Sequence, residues 1–379
     1  MRVDYNVPLE PDGSVSDTAR IEATLPTLRA ILDRGGRPVL LSHLGRPKGK
    51  VVPSMSLAPV APILADRLGA VVRFVPSTDT DEALAASEDL SPGEVLLLEN
   101  TRFLPGETGN DPDLAARLAR LGDLFVNDAF GSTHRAHASV VGVADHLRPA
   151  VAGLLVAKEI DALSGIREGC ESPFVVILGG AKIGDKIGLL ETFLRLADVV
   201  LIGGAMANTF LRARGLDTGR SLVEADAVEI AGRFLESGGD RLRLPSDLVV
   251  ADPAAADASS ARIVDAADIP PDLAALDIGP ATREAFASIV REARTVFWNG
   301  PMGLFEKSGF DDGTVSVARA VAECTAAGGF TVIGGGDSAA AVRQAGLADS
   351  VSHVSTGGGA SLEYLAHGAL PGLEALDPA

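Results

Sequence analysis

The sequence predicts an α/β protein made of two doubly wound, parallel-sheet (Rossmann-like) domains, and three observations carry that prediction. Short apolar, β-branched runs alternate with longer segments of helical period along all 379 residues. Most of those runs are apolar throughout, as strands covered on both faces are. At roughly 150 residues per domain the length points to two. Charge divides along the same line: residues 1–150 hold 15 basic and 20 acidic residues, net −5, and the remaining 229 hold 18 and 31, net −13.

Taken in order, RPVLLSH (37–43), AVVRFV (70–75), EVLLLEN (94–100) and DLFVNDA (123–129) read as buried strands of the first domain. Ile21, Leu25, Leu28, Ile31 and Leu32 line one helix face, with N-cap oxygens from Asp17 and Thr18 before it and Gly35-Gly36 after it. Leu57 to Leu68 and Asp111 to Leu121 mark two more helices. Residues 152–169 carry Leu154, Leu155, Ile160, Leu163 and Ile166 near helical spacing, and read as a helix that either joins the domains or crosses over within one sheet. Strands follow at PFVVILGG (173–180), DVVLIGG (198–204), DLVVAD (247–252), TVFWNG (295–300), FTVIGGG (330–336) and VSHVST (351–356). The tract ADPAAADASSAR (251–262) reads as a surface loop or hairpin.

Composition excludes several classes. Hydrophobic residues make up 46%, too many for a disordered chain. Cys170 and Cys324 stand 154 positions apart, so no CxxC pair exists and two solitary thiols fit a reducing cytoplasm. The amino terminus lacks a basic segment followed by an apolar one, and no run of about 18 apolar residues occurs, so the expectation is a cytoplasmic protein that does not span a membrane. A net charge of −18 disfavours nucleic acid and anionic lipid as partners. Any anionic ligand must then be held by a local basic cluster.

The first domain offers such a cluster. Arg20, Arg46, Arg102 and Arg135 sit at strand ends or turns, where planar guanidinium forks suit carboxylate or phosphate. His43 and His134 lie beside two of them. Asp4 and Asn6 in VDYNVP are turn formers, or groups that orient a substrate hydroxyl. In the second domain, four strands end in glycine, as chains do where backbone amides receive phosphate beyond the carboxyl end of a parallel sheet. Lys182 and Lys186 in GGAKIGDK place two cations there, although no Ser or Thr follows Lys186 and the segment is no P-loop. In IGGGDSAAA (333–341), Asp337 opens a helix beside Gly335 and Gly336, and a bridging Mg²⁺ would let a carboxylate and phosphates share that place. FWNGPMGLFE (297–306), with the only Trp and with Asn299, Pro301 and Glu306, offers a flat apolar contact and polar groups for a purine ribonucleoside.

These segments together resemble phosphoglycerate kinases. VDYNVP, SHLGRPKG, LLENTRF, VNDAFGSTHRAH, LGGAKIGDKI, GPMGLFE, VIGGGDS and STGGGASLE occur in that family's order across almost the entire chain. The resemblance implies phosphoryl transfer between ATP and the carboxylate of 3-phosphoglycerate, with Mg²⁺ as cofactor, in a monomeric, hinge-bending enzyme. It implies a 3-phosphoglycerate domain over 1–151, a joining helix over 152–169, a nucleotide domain over 170–366 with a cleft between the two, and a tail, 367–379, that packs back on the first domain. It assigns substrate binding to Asp4, Asn6, Arg20, His43, Arg46, Arg102 and Arg135. It assigns nucleotide binding to Gly180, Lys182, Lys186, Gly203, Gly204, Asn299, Pro301, Glu306, Gly335, Gly336, Asp337 and Ser338. Arg20, Lys182, Gly335 and Gly336 are the catalytic set, and Asp337 is the metal ligand.

One departure stands out. Members of the family usually carry about twenty residues before this motif, including most of the first strand, whereas Met1 here precedes it by two. The expectation is a translation start further upstream. The alternative is a first sheet short of a strand, and with it a nucleotide-binding protein of the same fold that lacks catalysis.

Overall fold

The computed structural model describes residues 1–378. It divides into two units, Met1–Asp161 with His367–Ala379, and Ala162–Ala366. The first unit runs α1 (Ala19–Leu32), β1 (Val39–Leu40), α2 (Val60–Leu68), β2 (Val71–Val75), α3 (Asp81–Glu88), β3 (Glu94–Leu98), α4 (Pro112–Ala119), β4 (Phe125–Asn127), α5 (Val143–His146) and β5 (Ala150–Ala152). Next comes α6 (Leu154–Arg167), which begins in the first unit and ends in the second.

β3 is central in a parallel sheet of order β1-β3-β2, and β4 pairs with β5 in a second parallel pair. Successive side chains of β3 go to opposite faces. Leu96 and Leu98 join one apolar cluster with Leu114, Leu118 and Phe125, while Val95 and Leu97 join the other with Ile21, Leu28 and Leu64. Both faces are therefore covered, which is why the run reads as continuously apolar. Local signals set the helix starts. Asp17 accepts the Ala19 amide at 2.8 Å, and Asp111 accepts that of Leu114 at 2.8 Å just before Pro112.

Between β1 and β4, a single residue makes both connections. Arg2 forms parallel bridges to Leu41 on one side and to Asn127 on the other. Upstream of it the two edges part around a groove of about 820 Å³, lined by Met1, Val39, Leu118, Phe125, Val126 and Leu154 among others. At the other end of the chain, α14 (Pro371–Glu374) lies against the same unit: the Gly372 amide donates to Thr133 O at 2.7 Å, Asn127 Nδ2 donates to Gly372 O at 3.2 Å, and the Asp377 amide donates to Ala150 O at 2.8 Å.

The second unit contains β6 (Phe174–Leu178), α7 (Ile187–Leu196), β7 (Val199–Ile202), α8 (Gly204–Ala213), α9 (Val228–Gly238), β8 (Leu242–Arg243), β9 (Asp247–Ala251), β10 (Arg262–Asp265), β11 (Ala274–Ile278), α10 (Pro280–Arg291), β12 (Thr295–Asn299), α11 (Asp312–Ala326), β13 (Phe330–Gly334), α12 (Gly336–Gln344) and β14 (His353–Val354), and α13 (Gly359–His367) leads out of it. Six strands form one parallel sheet of order β14-β13-β12-β6-β7-β8.

Two expectations need correction. DLVVAD was expected to continue the parallel alternation, yet β9 belongs to a separate antiparallel sheet of order β10-β9-β11. The reason is the link from β9 to β10, which has no α-helix and cannot make a parallel crossover. Trp298, read as a flat surface for a purine, is fully buried inside the sheet's core and donates its indole N–H to Gly300 O at 2.7 Å. It lies in β12, a strand flanked on both sides and covered on both faces, so neither face of its ring reaches solvent.

Candidate active site

In the first unit the segment before α1 brings acid and base together. Asp4 Oδ2 accepts from Arg20 Nη1 at 2.6 Å, and Asp4 Oδ1 accepts the Asn6 amide at 3.2 Å. Burial alone would raise the Asp4 carboxyl, but Arg20, His43 and Arg2 outweigh it and bring it down to about 2. Asn6 Oδ1 accepts the Gly45 amide at 2.8 Å, Asn100 Nδ2 donates to Leu44 O at 2.7 Å, and Arg102 Nη1 donates to Gly45 O at 2.8 Å. Three side chains from two segments thus fix the loop that carries His43 and Arg46. Arg135 Nε donates to His134 Nε2 at 3.0 Å.

The electrostatics point the same way. Arg102 is buried with its Nε unbonded, and its guanidinium is pulled down to about 10 by burial and then by the neighbouring charges of Arg2 and Arg135. His137, buried and then repelled by Arg102, Arg2 and Arg135, falls to about 4. His43 lies well below its usual value, mainly through burial, with Asp4 opposing and Arg2, Arg102 and Arg20 adding to it. Cations this close cost stability until an anion joins them, and that is the signature of an anion pocket. The structure brings Asp4, Asn6, Arg20, His43, Arg102 and Arg135 into this cluster; Arg46 stands exposed in the His43 loop, bonded to none of them.

Arg2 is the residue that sequence reading missed. It is fully buried, with Nε donating to Ser139 Oγ at 2.9 Å and Nη2 contacting His43 Nδ1 at 2.9 Å. A guanidinium only donates, so Nδ1 accepts and the ring proton sits on Nε2. Ser139 in turn donates to Glu107 Oε1 at 2.6 Å, which supplies buried counter-charge. The available signal was spacing: Arg2 and Asp4 are two apart in an extended segment and so face the same side.

In the second unit, register does the assembly. Gly334, Asn299, Leu178 and Ile202 are Cα partners across adjacent strands, so the glycine turns that follow begin at one level. The Gly179 amide donates to Asn299 O at 2.9 Å, that of Gly180 to Pro301 O at 2.9 Å, and that of Gly204 to Met302 O at 2.9 Å. A Cβ on Gly179 would lie 2.1 Å from Pro301 O, and one on Gly204, at φ +62°, 2.5 Å from the Gly180 nitrogen. Only glycine permits that approach. Helices α8 and α12 start at this rim; in α8 the Gly204 and Met206 amides are taken up by Met302 O and Gly180 O, while α12 opens on the exposed Gly336 and Asp337, a fitting place for phosphate. Lys186 Nζ donates to Gly179 O, while Lys182, Asp337 and Glu306 are exposed.

Three residues read as nucleotide contacts, Asn299, Pro301 and Ser338, are buried. Ser338 Oγ accepts the Gly300 amide at 2.6 Å, and Asn299 packs against Gly335, whose added Cβ would lie 2.7 Å from Asn299 Nδ2. Both shape the rim. Among the described residues no group of three or more His, Cys, Asp or Glu could cage a metal ion.

The chain is similar along almost its whole length to known proteins of one family. The sequence profile of the family described as phosphoglycerate kinase matches residues 1–367. A curated phosphoglycerate kinase of Thermus thermophilus is 56% identical over 381 residues, and that of Roseiflexus sp. (strain RS-1) 54% over 384; each alignment covers 100% of this chain and 96% of the relative. The solved phosphoglycerate kinase structures from Coxiella burnetii and Pyrococcus horikoshii are similar with TM-scores of 0.85 and 0.88, at 38% and 34% identity, each covering 99% of this chain and 94% of the other.

Two outcomes follow from the first unit's cluster. Histidine NMR is expected to show His43 neutral with its proton on Nε2, and an Arg2→Met variant to lose that single tautomer. Stability is expected to fall as pH drops from about 6.5 towards 4, because the unfolded chain protonates His137 in that window while the folded one does not. A His137→Asn variant then shows a flatter dependence of denaturant midpoint on pH across that window; an unchanged slope contradicts the assignment.

Proposed function

The chain belongs to the phosphoglycerate kinase family, and from its two sites we propose how it performs that family's reaction, reversible phosphoryl transfer between ATP and the carboxylate of 3-phosphoglycerate to give ADP and 1,3-bisphosphoglycerate. The observation that carries the reading is a division of chemistry. A guanidinium cluster with one paired carboxylate lies in the first unit, and a glycine-amide rim with two helix starts lies in the second.

3-Phosphoglycerate, with its phosphate and carboxylate, suits the first site: Arg46, Arg102 and Arg135 supply charge, His43 a neutral donor, and Asp4 and Asn6 groups for the hydroxyl. ATP suits the rim, with Gly180, Gly203, Gly204, Gly335 and Gly336 at the phosphates, Lys182 and Lys186 as cations, and Pro301 and Glu306 beside the nucleoside; Asn299 and Ser338 hold the rim's shape. A carboxylate oxygen of the substrate attacks the γ-phosphorus in line as the bond to the β-phosphate oxygen breaks, and no protein nucleophile is needed. Arg20, Lys182 and the amides of Gly335 and Gly336 neutralise the charge that spreads over the transferring group. Asp337, a single exposed carboxylate at the start of α12, would hold an Mg²⁺ arriving with the nucleotide, and the ion would offset phosphate charge there. Because one ligand belongs to each unit, turnover requires a closing motion that also keeps water from the acyl phosphate. The protein acts as a cytoplasmic monomer on small molecules, with no nucleic-acid partner.

The groove beside Arg2 belongs to this reading, since Asp4 and Asn6 hang from the same segment. Arg2 N donates to Val126 O at 2.8 Å, Leu41 N donates to Met1 O at 2.9 Å, and the terminal amine donates to Val39 O at 2.8 Å, all in parallel register. By the alternation of a parallel ladder, the amides of Val39 and Val126 face the groove next. A strand added in that register would bond to both amides and complete the sheet.

Arg20→Ala is expected to lower kcat by about 100-fold or more, and Glu306→Ala to raise the KM for ATP with little change in kcat. A coupled assay reads both; equal, small effects contradict the roles given. Adding an N-terminal extension of about five or six consecutive apolar, β-branched residues is expected to raise Tm and lower the KM for 3-phosphoglycerate. If neither moves, the groove does not take a strand.

A further inference from the structure

Asp277 lies behind the nucleotide rim, in β11, and no step of the reaction uses it. The residue is 3% exposed. Its Oδ2 accepts the amide of Gly313 in the first turn of α11 at 2.7 Å, and its Oδ1 accepts the Ile278 amide at 2.9 Å. The charged groups facing it are Arg283 of α10, 3.7 Å from Oδ2, and Asp312 of α11, which itself accepts from Arg283 Nη1 at 3.0 Å.

The carboxylate fills a space shared with the loop after β12. A Cβ on Gly303 would lie 2.3 Å from Asp277 Oδ1, and one on Gly313 2.2 Å from the same oxygen. That loop is pinned on this side by the Met302 amide to Thr314 Oγ1 at 3.0 Å and the Leu304 amide to Leu276 O at 2.8 Å. Its other side delivers Pro301 O to the Gly180 amide and Met302 O to the Gly204 amide. One buried side chain therefore sets the spacing between β11, α11 and the two glycines of the rim.

We propose that Asp277 is a positioning residue for nucleotide binding: it seats residues 300–304 against Gly180 and Gly204 without touching the nucleotide. The inference rests on the reading of that rim as the nucleotide site. Only the ionised carboxylate accepts from both amides and carries the charge that Arg283 faces, so nucleotide affinity falls as Asp277 takes a proton. Burial lifts its carboxyl to about 7, above the acidic range, despite the amides of Gly313 and Ile278 and the charge of Arg283, so the loss occurs as pH drops through about 7.

The test compares the full chain with Asp277→Asn and Gly303→Ala variants. Asp277→Asn turns an acceptor into a donor facing the Gly313 or Ile278 amide; the expected result is a rise of about tenfold in the KM for ATP, with kcat and the KM for 3-phosphoglycerate within about twofold. The increase in ATP KM below pH 7 is lost in this variant. Trp298, the only Trp, reports the loop through its bond to Gly300 O, so its indole ¹H–¹⁵N signal titrates near pH 7 in the parent and not in Asp277→Asn. Gly303→Ala places a methyl against the intact carboxylate, gives the same KM pattern, and combines with Asp277→Asn less than additively. It serves as the deciding variant if Asp277→Asn does not fold. ADP binding by calorimetry to Lys186→Ala and Glu306→Ala separates the two readings. If these bind as the parent does, the nucleotide-site reading fails. If they bind weakly while folded Asp277→Asn or Gly303→Ala keeps the parent KM for ATP and the parent Trp298 signal, the positioning role is overturned.

Discussion

The second unit depends on a backbone approach that no side chain could share. Gly179, Gly300 and Gly204 bring the ends of β6, β12 and β7 so close that a Cβ on Gly300 would lie 2.3 Å from Gly179 O. The parallel register sets the level of those strand ends, and the glycines let their turns interlock through the amides of Gly179, Gly180 and Gly204. The starts of α8 and α12 lie at the same rim, so one packing constraint fixes the strand ends and both helix starts together. Ser338 and Asn299 serve that arrangement from below, and so does Asp277 from the side.

A chain of net charge −18 that binds anions faces the opposite constraint in its first unit, where positive charge must be gathered and kept from being cancelled internally. Asp4 answers Arg20 alone at bonding distance, while Arg102 and Arg135 depress their neighbours and stay without a bonded carboxylate. Arg2 is the exception. It is sealed away with Glu107 and Asp4 nearby; burial keeps His43 neutral, and the bond from Arg2 to Nδ1 leaves the ring proton on Nε2. The intact cluster gives no support to a non-catalytic reading.

Much of this was legible in advance, and particular residues show why. EVLLLEN could be read as a doubly covered strand because its central positions are all apolar, and Asp111-Pro112 announced α4 through capping chemistry that acts within four residues. Arg102 and Arg135 were legible as candidates because they sit in short polar segments after apolar runs, whereas Arg20 proves to lie in the first turn of α1, paired with Asp4. Trp298 misled because a sequence cannot show whether a large ring sits at a sheet's rim or in its middle. β9 misled because an apolar run looks alike in parallel and antiparallel pairing.

Residue type and short-range spacing suffice for the α/β class, the glycine-ended strands, the cations and the family resemblance. Long-range packing set which of the candidate residues stay exposed and which turn into the scaffold. Ser338 and Asn299 turned inward, Arg2 became the partner of His43, and Asp277 met a glycine twenty-six positions later. These contacts depend on strand order and register, which long-range packing sets and local pattern does not encode.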